Sequence, residues 1–215
     1  MIVEDIMKVD VAALSPDHSI AEALRLMNDR KIRHLPIIDS ERRLVGIISD
    51  RDIRDAAPSI FQLGADRSEL GKPLKAIMKT DIITGHPLDF AEEIAAVLYE
   101  HNIGCVPIVK EGTLVGIVTE TDLLYTLVEL TGANQPGSQI EVRVPNRAGV
   151  LSDLTEVFKD RKVNIQSVLV YPDKQDEQFK IIVLRVRTMN PQTLISDLKK
   201  AGHHVLWPNG QGMLP

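Results

Sequence analysis

The chain contains the same seven-residue pattern twice, 70 positions apart, and this duplication constrains its fold more than any other feature. Residues 46–52 read Gly-Ile-Ile-Ser-Asp-Arg-Asp, and residues 116–122 read Gly-Ile-Val-Thr-Glu-Thr-Asp. Other stretches repeat with them, since Ile6-Met7-Lys8 recurs as Ile77-Met78-Lys79. A motif that repeats together with its surroundings indicates two copies of one structural unit.

Both copies end an apolar stretch with a hydroxyl residue that is followed three positions later by an acid. Ser49 precedes Asp52, and Thr119 precedes Asp122. This spacing is typical of a helix start, where the hydroxyl accepts a hydrogen bond from a free N–H group and the acid favours the positive helix end. The same groups suit a ligand, because free N–H groups attract phosphate and a carboxylate can accept both hydroxyls of a ribose. Capping is the commoner explanation for one copy, and the duplication keeps the ligand hypothesis open.

Each copy has the pattern of a β-α-β-β-α unit of about 60 residues. The first helix is predicted to begin near Ser19 in one copy and near Asp89 in the other, each with a glutamate three positions on. Two short strands follow, at 35–38 and 44–48 or at 106–109 and 114–118, and a second helix starts at Ser49 or Thr119. Units this small seldom bury enough apolar surface alone, so we expect the copies to pack side by side.

The domain boundaries follow from the repeats and from composition. The first repeat covers residues 1–57, an irregular connector covers 58–73 and the second repeat covers 74–130. Residues 131–138 have the composition of a linker. Residues 139–215 show strand and helix patterns in the order β-α-β-β-α-β, which is ferredoxin-like. The predicted fold class is therefore α/β (α+β), a tandem pair followed by a ferredoxin-like domain.

Charge and composition argue against several classes of protein. The chain carries 25 Lys and Arg against 30 Asp and Glu, a net charge of -5, which gives no electrostatic drive towards nucleic acid or an anionic membrane. No apolar run approaches the ~20 residues of a membrane span. The only cysteine, Cys105, cannot form an internal disulfide and fits a reducing compartment, so we expect a cytoplasmic protein.

The residue patterns of catalysis and metal binding are missing from the sequence. The histidines lack ligand-like spacing, and the sequence has no Gly-x-Ser-x-Gly elbow, phosphate loop or Gly-x-Gly-x-x-Gly motif. Cys105 precedes an apolar strand, where a buried structural thiol is expected rather than a nucleophile. We therefore expect a protein that is not an enzyme, with no catalytic residues and no metal site.

The two copies resemble a tandem pair of CBS domains in their Ile-Met opening, their x-x-Pro-Ile strand and their Gly-h-h-Ser/Thr-x-x-Asp motif. The C-terminal stretch resembles an ACT domain in residues 146–151, Asn-Arg-Ala-Gly-Val-Leu, and in Asn164-Ile165. The resemblance implies a ligand-sensing regulator that binds an adenine nucleotide (AMP, ADP or ATP, with NAD or S-adenosylmethionine as further candidates) and forms a homodimer that acts on a protein partner. The domain order is similar to that of acetoin-utilisation regulators, which implies a role in acetoin or acetate carbon metabolism.

The resemblance also implies roles for individual residues. Asp52 and Asp122 would hold the ribose hydroxyls, and Ser49 and Thr119 would lie at the phosphates. The residues that would frame the base are Asp10, Val11, His34, Leu35, Pro36, Asp81, Ile82, Cys105, Val106 and Pro107. A set of basic residues flanks the first copy: Arg30, Lys31, Arg33, His34, Arg51 and Arg54. We expect the cleft of the first copy to bind a phosphate-rich nucleotide better than the second, although these cations could equally form a solvated face.

In ACT domains, the turn between the first strand and the first helix is the usual amino-acid site. The corresponding residues are Asn146, Gly149, Val150 and Leu151, with Asn164 and Ile165 from a facing strand. A pure dimer interface is an equal alternative for this region. Two further hypotheses remain: an amino-acid-responsive ACT regulator whose CBS pair only dimerises, and an enzyme that acts on the bound nucleotide.

Overall fold

The computed structural model describes residues 1–56 and 67–208, and the chain divides into two compact units, Met1–Leu124 and Tyr125–Pro215. Pro58 and Gly64 of the predicted connector lie outside the described residues. The helices are α1 (Ile20–Arg30), α2 (Asp50–Ala56), α3 (Ala91–His101), α4 (Glu120–Thr131), α5 (Val150–Asp160) and α6 (Gln192–Lys200). The strands are β1 (His34–Ile38), β2 (Leu44–Ser49), β3 (Cys105–Lys110), β4 (Thr113–Thr119), β5 (Ser138–Pro145), β6 (Ile165–Pro172), β7 (Phe179–Val186) and β8 (His204–Trp207). None of these helices is long and apolar enough to cross a membrane.

The first unit contains two antiparallel hairpins in equivalent positions, as the duplication predicts. β1 pairs with β2, placing His34 opposite Ser49, and β3 pairs with β4, placing Cys105 opposite Thr119. The first strand of the predicted β-α-β-β-α order is reduced, within residues 1–56 and 67–208, to short bridges such as Leu14 with Ile37. The element order of the two copies is otherwise the predicted one.

The two copies exchange their opening segments. Lys8 and Ile117 form reciprocal backbone hydrogen bonds, both of 3.0 Å, although they belong to different copies. Lys79 of the second copy and Ile47 of the first form the equivalent pair of hydrogen bonds, at 2.9 and 3.0 Å. The side chains of the opening segments also pack in the opposite copy. Val3 of the first copy is buried in the core of the second, and Leu74 of the second copy is buried in the core of the first. Each apolar core therefore needs residues from both copies, which fits the small size of one unit.

The repeated methionine of one copy packs against the repeated glycine of the other, which accounts for both repeats. A Cβ atom at Gly116 would lie 2.5 Å from Met7 Sδ, and one at Gly46 would lie 2.6 Å from Met78 Sδ. Such distances are far shorter than a normal van der Waals contact. Each methionine thus packs on the bare backbone of a glycine in the opposite copy.

The two first helices begin with different caps. Ser19 caps α1 in a complete capping box, in which its Oγ accepts from Glu22 N at 3.3 Å and Glu22 accepts from Ser19 N at 2.7 Å. The predicted start near Asp89 is confirmed to within one residue, but the cap is Phe90, since α3 begins at Ala91 and Asp89 accepts from His86 N in the preceding turn. Phe90 takes the place of Ser19, and Glu93 accepts from Phe90 N at 3.1 Å.

The second unit has the sheet order β6-β7-β5-β8, with α5 and α6 packed on it, which is the predicted ferredoxin-like arrangement. Alternate residues of β5 enter the core: Ile140, Val142 and Val144. α5 buries Val150, Leu154 and Phe158, whereas Leu151 is 42% exposed.

Candidate ligand clefts

Ser49 and Asp52 form a closed set of hydrogen bonds where β2 passes into α2. Asp52 Oδ2 accepts from Ser49 N at 2.8 Å and from Ser49 Oγ at 2.6 Å, and Asp52 N donates to Ser49 Oγ at 3.2 Å. Thr119 and Asp122 repeat this arrangement at 2.9, 2.6 and 3.3 Å. The capping function expected from the spacing is therefore present in both copies, and it uses only one oxygen of each carboxylate.

The other oxygen of each carboxylate pairs with a lysine of the opposite copy. Lys79 Nζ lies 3.0 Å from Asp52 Oδ1, and Lys8 Nζ lies 2.7 Å from Asp122 Oδ1. Partial burial by itself would raise the pKa of Asp52, but the hydrogen bonds from Ser49 and the contact with Lys79 outweigh it and lower that pKa. Asp52 is therefore a carboxylate at neutral pH.

Asp52 lines a cavity of about 420 Å³, which we name the Asp52 cleft. Its walls come from both copies, since Ser49 and Asp52 belong to the first and Asp81 and Cys105 to the second. The predicted site residues that line it are His34, Ser49, Arg51, Asp52, Asp81, Ile82, Cys105 and Pro107. The structure thus brings together most of the residues expected around one nucleotide.

A second cavity, of about 390 Å³, lies at Thr119, and we name it the Thr119 cleft. The predicted residues that line it are Asp10, Val11, His34 and Thr119. Asp122 does not line this cavity: its side chain is 11% exposed, and Lys8, which does line the cavity, pairs with it. The two clefts are therefore related by the repeat, and their aspartates are similarly shielded, with side chains 16% (Asp52) and 11% (Asp122) exposed, although only Asp52 lines its cavity.

Three predicted residues are buried rather than placed on a cleft wall. The side chains of Leu35 and Val106 are fully buried in the cores of their copies. Pro36 is also buried, and its carbonyl accepts from Leu14 N at 3.2 Å. The structure gives these residues a role in supporting the hairpins.

The basic residues of the first copy divide between the two clefts, contrary to the expectation that they surround one. Arg30 and Lys31 line the Thr119 cleft, whereas Arg51 and Arg54 line the Asp52 cleft, and Arg33 lines both. With Lys8 and Lys79 added, each cavity has four Lys or Arg side chains among the residues that the structure describes. The carboxylates differ, because four line the Asp52 cleft and two line the Thr119 cleft. The Asp52 cleft therefore has no more cations than the Thr119 cleft, because each cavity takes its walls from both copies.

A common wall separates the two clefts, and the sequence pattern did not reveal it. Arg33, His34, Gly104 and Glu120 line both cavities. The His34 ring lies over Gly104, where an added Cβ would be 2.8 Å from its Cε1 atom. Burial lowers the pKa of His34, and the neighbouring Arg33 lowers it further.

Sequence reasoning also omitted Lys8 and Lys79 as site residues, although the repeated Ile-Met-Lys could have marked them.

Cys105 and the acidic residues do not form other reactive centres. Burial raises the pKa of the Cys105 thiol to about 12, which keeps it protonated and unreactive as a nucleophile. Among the residues that the structure describes, no group of three or more His, Cys, Asp or Glu side chains is arranged to hold a metal ion.

The predicted amino-acid site of the second unit is split. β5 pairs with β7 from Ser138 opposite Val186 to Pro145 opposite Phe179, and β6 starts with Ile165 opposite the same Val186. Asn146, Gly149, Val150 and Leu151 therefore lie at one end of the sheet, and Asn164 and Ile165 at the other, roughly seven residues or ~23 Å away. A single chain does not form one site from both sets.

Asn164 and Ile165 line a separate cavity of about 580 Å³. Its other walls are Gln135, Pro136, Gln166, Arg187, Thr188 and Met189. The Gln166 Oε1 atom is buried and has no hydrogen-bond partner in the structure. An unpaired buried acceptor beside a cavity calls for a donor from water or from a ligand.

Comparison with known proteins gives matches over both units. The sequence profile of the CBS domain matches residues 3–59 and 74–129, and that of the ACT domain matches residues 138–203. A CBS domain-containing protein of Dictyostelium discoideum is 31% identical over 143 residues, covering 64% of this chain and 99% of the relative.

Two solved structures are similar to part of the chain. A putative acetoin utilization protein (AcuB) from Vibrio cholerae has 34% identity and a TM-score of 0.54, and the match covers 63% of this chain and 98% of that one. The CBS domain pair of protein MJ0100, solved in complex with 5′-methylthioadenosine and S-adenosyl-L-methionine, has 29% identity and a TM-score of 0.52, with coverage of 63% and 98%.

Proposed function

This chain belongs to the family of CBS-domain proteins and carries a C-terminal ACT domain, and we propose that it is a non-catalytic regulator that binds an adenine nucleotide. The proposed site is the Asp52 cleft. The observation that carries this choice is that Asp52, the carboxylate suited to hold a ribose, lines its cavity, whereas Asp122 does not line the corresponding one.

The chemistry of the Asp52 cleft supports a nucleotide. A carboxylate oxygen outside the cap can accept ribose hydroxyls, and Arg51 and Lys79 offer positive charge to phosphate. The similarity to the CBS pair of MJ0100, which was solved with two adenosyl ligands, supports an adenine-containing ligand. AMP, ADP and ATP are the leading candidates, and NAD and S-adenosylmethionine follow.

The proposed biological process is acetoin or acetate carbon metabolism, and its support is the similarity to the Vibrio cholerae protein. We infer that the protein works in the cytoplasm as a homodimer and passes the signal through its ACT domain to a protein partner. Coupling of this kind requires that the ligand prefers one of two conformations.

Thermal unfolding with each of the five ligands tests the nucleotide proposal. A ligand at ~100 times its Kd adds about 2.7 kcal/mol to the free energy of unfolding, which raises Tm measurably. Asp52→Asn keeps an oxygen for the cap but removes the charge, so we expect it to abolish the shift. Asp122→Asn is the matched control and should keep the shift.

Two results would contradict the assignment. Loss of the shift with Asp122→Asn and not with Asp52→Asn would move the site to the Thr119 cleft. The lack of a shift with any ligand would refute the nucleotide proposal and leave the repeated motif as a helix cap.

One observation favours the alternative of an amino-acid-responsive ACT regulator. The cavity of the second unit combines the unpaired Gln166 Oε1 with Arg187, which makes no ion pair within the part of the chain that the structure describes. The ammonium group of an amino acid could donate to Gln166 Oε1, and its carboxylate could pair with Arg187. Calorimetric titration with the twenty amino acids checks this: binding that Arg187→Gln abolishes, without any nucleotide binding, would select the alternative.

A further inference from the structure

The carboxylate oxygen that a ribose must reach is held by a lysine. Asp52 Oδ2 already accepts two hydrogen bonds from Ser49, so Oδ1 is the oxygen left for a ligand. Lys79 Nζ lies 3.0 Å from that oxygen. The Thr119 cleft has the same arrangement, with Lys8 Nζ at 2.7 Å from Asp122 Oδ1. A ribose that donates both of its hydroxyls to Oδ1 would therefore displace the ammonium group, because this oxygen has two acceptor positions.

Backbone hydrogen bonds hold Lys79 in place, whereas its side chain is exposed. The reciprocal hydrogen bonds between Lys79 and Ile47 hold its Cα against β2. Its side chain is 66% exposed, and that of Lys8 is 62% exposed. An ion pair as exposed as this is weak and easily exchanged. Once displaced from Asp52, the ammonium group stays within reach of the same cleft, because Lys79 lines it.

Arg54, another cation of the cleft, is less free to change partner. Arg54 is paired with Asp50 at 3.0 Å and also donates to the Asp50 carbonyl, so its guanidinium is held on α2. Lys79, by contrast, loses its partner when a ribose takes Asp52. A phosphate on the same ligand then offers it a new partner in the cavity, which Asp81 and Glu120 also line.

We propose that Lys79 is a specificity-determining residue that selects phosphorylated over unphosphorylated ribonucleosides. This inference rests on the proposed nucleotide function and adds the basis of its selectivity. The ribose displaces the ammonium group from the aspartate, and the ammonium group moves to the phosphate. A nucleoside without phosphate breaks the same ion pair and leaves the lysine unpaired, so it binds less well.

Calorimetric titration of AMP and adenosine into the full chain tests the proposal. We expect the wild type to bind AMP more tightly than adenosine by at least about tenfold, as one charge-assisted contact can provide. Lys79→Met should weaken AMP binding by about tenfold and leave adenosine binding unchanged or tighter, so that the preference is lost. Lys79→Arg should restore the preference.

Lys75→Met is the matched control, because Lys75 is a similarly exposed lysine that pairs with Asp17 at 2.8 Å and lines neither cleft. It should leave both affinities unchanged. If Lys79→Met left the ratio of the two affinities unchanged, the lysine would be structural and the inference would be wrong. If the wild type bound neither compound nor any other adenine nucleotide, the proposed function would fail and this inference with it.

Discussion

His34 is the residue at which the two clefts meet, and its environment makes it sensitive to pH. It lies in the wall that both cavities share, packed over Gly104. Burial and Arg33 lower its pKa, while Asp50, Glu120 and Asp52 act in the opposite direction. The neutral ring is therefore the form that the folded protein favours.

The sign of the resulting pH dependence follows from this shift. Below the ordinary His pKa of 6.5, the unfolded chain binds a proton that folded His34 resists, so stability falls as pH decreases from about 7. We expect His34→Gln to reduce this loss between pH 7 and pH 5. The free energy of unfolding of both proteins, measured by urea titration across that range, checks the prediction.

The control for His34 is His101→Gln, because His101 is an exposed residue at the end of α3 and lines neither cavity. It should leave the pH dependence unchanged. Equal pH profiles for wild type and His34→Gln would show that folding does not change the proton binding of His34.

The helix caps show how far a repeat in the sequence predicts a repeat in structure. Ser19 and Phe90 have the same N-cap conformation, with φ near -83° and ψ of 159° in one and φ of -84° and ψ of 143° in the other. Glu22 and Glu93 occupy the same position and accept from the cap N–H in both helices. Only the side chain at the cap differs, since Phe90 cannot accept a hydrogen bond.

Phe90→Ser should therefore stabilise the protein. The phenyl ring is 50% exposed, and a serine would complete the capping box, with a gain of about 0.5–1 kcal/mol in the free energy of unfolding. Denaturant unfolding measures the change. Ser19→Ala, which removes the existing cap of α1, should lower stability by a similar amount.

A lower stability of Phe90→Ser would mean that packing of the aromatic ring outweighs the missing cap.

The comparison of the two caps also explains why the sequence placed the cap of α3 at Asp89. An acid before a helix resembles a cap in sequence, but the alignment of the two copies through Ser19 places Phe90 at that position. The periodicity of both helices was nevertheless sufficient to predict that they exist.

At the scale of the whole molecule, the second unit leaves an apolar strand at its edge. β6 is the outermost strand of the sheet, and four consecutive apolar residues are at least partly exposed along it: Val168, Leu169, Val170 and Tyr171. An exposed apolar edge strand favours pairing with another strand. This supports the proposed homodimer, with a second copy as the occupant of the edge.

We expect a double substitution of Leu169→Lys and Val170→Lys to shift the protein from dimer to monomer, because charge on an edge strand opposes strand pairing. Light scattering coupled to size-exclusion chromatography measures the mass. Leu88→Lys is the control, since Leu88 is an exposed leucine of the first unit. A monomeric wild type, or a double variant that stays dimeric, would exclude β6 as the interface.

The sequence alone determined the local structure and the domain order of this protein. Repeated motifs, helical spacing in α1 and α3, and alternation in β5 depend on neighbouring residues, so they can be predicted from the chain itself. The Ser/Thr-x-x-Asp spacing likewise predicted the hydrogen bonds of Ser49 with Asp52 and of Thr119 with Asp122. The tandem CBS pair and the ACT domain are confirmed by the family matches.

Only the tertiary structure decided how these elements combine into clefts. The exchange of opening segments places Lys8 beside Asp122 and Lys79 beside Asp52, and it distributes the basic residues of one copy over two cavities. The ends of β5 and β6 are likewise set apart by strand register. The physical reason is that these contacts join residues far apart in the chain, and their geometry depends on how whole elements pack rather than on local spacing.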